Sequence, residues 1–65
     1  MNVTLADKIK SLRRELSMRY KVYPNRVAAG RMTQAEADRE IEIATAILSD
    51  YERTQRKADQ LSFGI

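Results

Sequence analysis

The sequence predicts an all-α fold: a two-helix antiparallel hairpin with a Pro-kinked first helix, dimerising into a four-helix arrangement. Three observations carry that expectation. Two runs of apolar residues recur at helical spacing, a glycine and a Thr-x-x-Glu signal separate them, and the second run bears an extra apolar stripe that one hairpin cannot cover.

The first run is Leu5, Ile9, Leu12, Leu16, Tyr20, Tyr23 and Val27, with steps of three or four residues. It predicts a helix over about residues 4–29, N-capped by Thr4 and stopped by Gly30 at the position after the C-cap. Tyr20, Tyr23 and Tyr51 are expected on the inner faces. Pro24 removes the amide that would bond the carbonyl of Tyr20 and biases Tyr23 away from α geometry. Either the helix stops at Val22 or it runs on with a kink. The apolar phase is unchanged across Pro24, which favours the kink.

The second run opens with Thr33 and Glu36 as a capping box, and Met32 is placed to staple onto Ala37. Its apolar positions are Ala37, Ile41, Ala44, Leu48 and Tyr51, then a polar step at Thr54 or Gln55, then Ala58 and Leu61. Glu36, Asp38, Glu40 and Glu42 lie toward the positive end of the helix dipole, and Arg53, Arg56 and Lys57 toward the negative end. A helix over about residues 33–60 follows, with a short C-terminal tail that frays. The link of a few residues makes the helices antiparallel neighbours, and residues 1–65 form a single domain.

Ile43 and Ile47 lie beside the main stripe of the second helix. In a lone hairpin they stay wet, so a homodimer is expected to bury Ile43, Ile47, Leu48 and Tyr51. Size argues the same way. A chain of 65 residues buries only about 60% of its unfolded surface. The sequence contains no Cys and no His, which removes disulfides and makes a zinc or iron site improbable, so association is the remaining means of stabilisation.

The same absences argue against catalysis, and no cofactor, catalytic residue or metal ligand is assigned. Ser11, Ser17, Ser49 and Ser62 stand in no nucleophile motif, and both glycines are isolated, so no phosphate-binding loop is present. Residues Met1 to Lys10 lack the apolar core of a signal peptide, and no stretch of about 20 apolar residues could span a membrane. The expectation is a cytoplasmic protein.

Charge is uneven. Residues 1–31 carry eight bases and two acids, and residues 32–65 carry seven acids and four bases. That asymmetry means either a basic face for an acidic partner or two helices that complement each other within the fold. The candidate partner-binding residues are Lys10, Arg13, Arg14 and Lys21 on the first helix, with Phe63 in the tail. A protein partner is preferred over nucleic acid because Glu15 interrupts the basic run and no helix-turn-helix spacing is present.

The segments Met18-Arg19, Val22-Tyr23-Pro24, Val27, Gly30-Arg31-Met32-Thr33, Ala37-Asp38-Arg39, Ile41, Ala46-Ile47 and Asp50-Tyr51 resemble a family of small phage and prophage proteins. That family includes the phage-encoded quorum-sensing anti-activator, which also blocks a pilus-assembly ATPase. The resemblance covers a little over half of the chain and departs from the family pattern at Asn25-Arg26 and Ala44-Thr45. It implies a two-helix protomer that dimerises and inhibits a host protein by binding it, such as a transcription regulator or a defence or motility factor.

Overall fold

The computed structural model describes residues 2–63, and side chains as far as Leu61. It contains two helices, α1 (Leu5–Ala28) and α2 (Gln34–Phe63), packed as a hairpin. The molecule measures 54 × 24 × 15 Å, which is two helices wide and one helix thick. Its radius of gyration is 15.5 Å, against about 11 Å for a compact chain of this length.

α1 starts on a reciprocal cap. The Thr4 hydroxyl accepts from the Asp7 amide at 3.1 Å, and the Asp7 carboxylate accepts from the Thr4 amide at 3.0 Å. Thr4 is therefore the N-cap expected from the sequence. Thr4-x-x-Asp7 is also a capping box in which Asp takes the place of Glu. The Thr4 amide, and after it the Thr4 hydroxyl, favours the charged carboxylate and lowers the pKa of Asp7, with a smaller contribution from Lys10. α1 continues without a break through Pro24 to Ala28. Tyr20 and Pro24 are both exposed, so water can satisfy the carbonyl that lacks its amide partner.

The reversal is a Schellman turn. Gly30 has φ +73°, its amide donates to the Val27 carbonyl at 3.1 Å, and the Arg31 amide donates to the Arg26 carbonyl at 2.9 Å. Three residues later Thr33 caps α2. Its hydroxyl accepts from the Glu36 amide at 3.0 Å, and the Glu36 carboxylate accepts from the Thr33 amide at 3.3 Å.

The seam between the helices is narrow. Ile9 and Leu16 of α1 and Ala37 and Ala44 of α2 are buried. Leu5, Leu12, Tyr23, Val27, Met32, Ile41, Leu48 and Tyr51 are half-buried around them. Large side chains on one helix thus meet alanines on the other, which lets the axes approach closely.

Three expectations need correction. Tyr20 is not an inner-face residue: it is 60% exposed. Between Leu16 and Tyr23 the seam position is shared by residues 19 and 20, and Arg19 takes it by reaching across to α2. Ala58 and Leu61 do not resume the buried stripe, since both are exposed. α2 has 30 residues and α1 has 24, so the last turns of α2 extend past the start of α1. Finally, α2 continues to Phe63 instead of ending near residue 60, because residues 34–63 contain no Gly or Pro.

An added Cβ at Gly30 would meet nothing within 4 Å, so a substitution there is penalised by backbone conformation alone. Gly30→Ala should cost about 1–2 kcal/mol, Gly30→Val more, and Thr33→Ala about 1 kcal/mol, all read by urea denaturation. Unchanged midpoints would contradict this account of the turn. The depressed Asp7 pKa makes its capping contribution fully present above the ordinary carboxylate range. That contribution should be lost as pH falls through the lowered value. Amide exchange in the first turn of α1 should therefore speed up in acid, and Asp7→Asn should remove that pH dependence.

Candidate functional site

The described residues carry shallow grooves along the helices. The described residues hold no cluster of His, Cys, Asp or Glu that could bind a metal ion. None of their helices is long and apolar enough to cross a membrane. The seam divides the surface of the hairpin into two sides and two outer faces.

One side is organised by Arg19, whose side chain is only 24% exposed. Its guanidinium donates to the Glu15 carboxylate at 2.8 Å and to the backbone carbonyl of Glu40 at 3.1 Å. The Glu40 carboxylate stands 3.8 Å away, and the Tyr23 ring lies 6.0 Å from the guanidinium carbon. A helical carbonyl has a second lone pair, so Glu40 can accept this bond without leaving its own helix ladder. The hydrogen bond to Glu15 is the largest cause of the raised Arg19 pKa, opposed in part by desolvation. Farther along the same side, the Lys8 ammonium sits 5.9 Å over the Tyr51 ring.

Helical phase places three exposed apolar residues on this side, Val22 of α1 and Ile43 and Ile47 of α2, whereas Met18, about 155° from the seam, lies on the outer face of α1 beside Arg14. Ile43 and Ile47 are each 41% exposed, as the sequence led us to expect. Leu48 and Tyr51, expected at the same dimer face, are instead half-buried in the seam of the hairpin. Sequence reasoning missed Met18 and Val22. Their spacing of four was visible, but they fall outside the dominant stripe.

The other side carries the Arg13–Glu52 ion pair at 2.6 Å and the exposed Tyr20 and Pro24. Arg13, a candidate partner-binding residue, is thus used within the chain, although its side chain remains 62% exposed.

The outer face of α1 bears Lys10, Arg14 and Lys21, turned about 120–160° from the seam and spread over about 16 Å of helix. All three are exposed, and none forms an ion pair among the described residues. The structure therefore keeps these three candidates together on one face and places Arg13 apart from them. Phe63 closes α2, and its side chain lies outside the described residues. No protein-family model, curated protein or solved structure matches the chain.

The two cross-seam arginines should differ in weight. Arg19→Ala removes charge-assisted hydrogen bonds from a half-buried guanidinium to partners that are themselves about half exposed, and should cost about 1.5 kcal/mol. Arg13→Ala breaks a solvent-screened pair and should cost at most about 1 kcal/mol. Urea midpoints for the two variants test this, and an equal or reversed order would refute the central role given to Arg19.

Proposed function

We propose that this hairpin is a non-enzymatic protein that binds an acidic surface of a host regulatory protein through the outer face of α1 and inhibits it. The supporting observation is that Lys10, Arg14 and Lys21 project from one rigid helix with no carboxylate partner among the described residues. Cations held in a row on a helix supply orientation and encounter rate to an acidic partner without needing a pocket.

The resemblance to the phage family supplies the direction of the effect. It points to inhibition, in the cytoplasm of a bacterial host, of a protein such as a quorum-sensing transcription activator. Nucleic acid is the competing partner for the same face. Arg13 is paired with Glu52, and Arg19 with Glu15 and Glu40, which leaves fewer cations to neutralise phosphates than the composition of residues 1–31 suggests.

The test is a triple variant, Lys10→Ala, Arg14→Ala and Lys21→Ala, which changes only exposed positions. Immobilised wild-type protein should retain a specific host regulatory protein at physiological salt. The triple variant should lose it, and an Arg56→Ala, Lys57→Ala control should keep it. Duplex and single-stranded DNA should bind only weakly under the same conditions. Tight, sequence-independent DNA binding that falls steeply with salt and vanishes in the triple variant would overturn the proposal.

A further inference from the structure

Two of the carboxylates that α2 turns toward α1 meet a cation across the seam: Glu52 meets Arg13, and Glu40 meets Arg19. Asp38 does not. It lies on the same side of α2 as Glu52, about four turns nearer the reversal. It forms no ion pair among the described residues. Opposite it, α1 presents Tyr20 and Pro24 where a cation would complete the pattern. Asp38 is not needed to cap α2 either, because Glu36 already accepts from the Thr33 amide.

Asp38 instead helps to wall a groove of about 240 Å³ beside the reversal. Gln34 stands with it on the α2 wall, and Tyr20 and Pro24 form the α1 wall. Val27, Ala37 and Ile41 line the groove between them and make its floor apolar. The groove is more enclosed than those beside Arg14, Leu12, Ile9 and Arg39.

Its polar groups are acceptors. The Tyr20 carbonyl points along α1 toward Pro24, which has no amide to give it. The Asp38 carboxylate can only accept, and the Gln34 amide nitrogen is already turned to it at 2.9 Å. The Tyr20 ring, in a residue 60% exposed, adds an aromatic face. A carboxylate, a free carbonyl and an aromatic ring around an apolar floor suit a cation with several donors. A guanidinium meets that need better than an ammonium, because it is planar, carries five N–H donors and stacks on aromatic rings.

We propose that this groove receives an arginine side chain of a partner protein. The guanidinium pairs with Asp38, donates to the Tyr20 carbonyl and covers the Tyr20 ring, while its alkyl stem lies on the apolar floor. The groove is on a different face from Lys10, Arg14 and Lys21, so the inference does not rest on what those residues bind.

Titration of the isotope-labelled full chain with acetyl-arginine methylamide, followed by amide NMR shifts, tests it. Binding in the millimolar range should move the amides of Tyr20, Gln34 and Asp38. The citrulline analogue, equal in shape but uncharged, should leave them in place. Asp38→Asn should weaken binding about fivefold. Pro24→Ala gives the Tyr20 carbonyl a donor within the helix and should weaken binding about threefold. The same change should raise the thermal midpoint, so its effect on binding does not come from unfolding. Glu42→Gln, on α2 but outside the groove, should bind as wild type does. Absence of a saturable shift at the three amides would overturn the proposal. So would equal binding of the citrulline analogue, full affinity in Asp38→Asn, or calcium chloride producing the same shifts at lower concentration than the arginine probe.

Discussion

The reversal at Gly30 is the constraint from which the other contacts follow. A residue at φ +73° turns the chain out of α1 while the last carbonyls of that helix find donors in Gly30 and Arg31. Only a residue without Cβ takes this conformation at no steric cost. The capping box at Thr33 then fixes where the second helix begins. Between them, these two local devices decide which residues face each other. They set Tyr23 and Val27 level with the start of α2, Leu16 level with its middle, and Leu5 level with its last half-buried positions.

Within that register, close packing depends on size contrast. Ala37 and Ala44 are the buried residues of α2, and Ile9 and Leu16 are those of α1. Two large apolar side chains facing each other would hold the helices apart and open the seam to water. Arg19 acts at the one level where the seam lacks an apolar residue on α1. Its guanidinium donates to the Glu15 carboxylate and to the backbone carbonyl of Glu40. The polar side chain thereby becomes part of the packing and leaves no buried atom without a partner among the described residues.

Most of this architecture was legible in the sequence because it rests on local rules. The positions of Thr4, Gly30, Thr33 and Glu36 announced both helix starts and the turn, and the heptad-like spacing of Leu5 to Val27 announced the buried stripe. The misreadings arose where tertiary structure chooses between local options. Tyr20 and Arg19 are both compatible with the phase of α1, and only the presence of Glu40 opposite decides for Arg19. Ala58 and Leu61 resume the periodicity after the polar step at Thr54 or Gln55, but periodicity cannot tell that the partner helix has already ended. The candidate site was legible in part. Exposure of Ile43 and Ile47 followed from counting stripes, and the basic residues followed from composition. That Arg13 turns to Glu52 while Lys10, Arg14 and Lys21 do not pair depends on which face each occupies, which charge counts do not reveal. Val22 was overlooked because one apolar residue beside the main stripe is unremarkable until the neighbouring helix contributes Ile43 and Ile47.

The turn at Gly30 also has a kinetic consequence. Contacts near it join residues close in the chain, so their loop-closure cost is small. Each later contact, through Arg19 and Glu40 to Arg13 and Glu52, closes a longer loop but inherits the alignment already made. Such a hairpin forms as a zipper does, from the closed end outward, with low contact order and correspondingly fast assembly. It comes apart in the reverse sequence. The end bearing Lys8, Tyr51 and the unaccompanied last turns of α2 is the first to separate, while the Schellman turn holds longest.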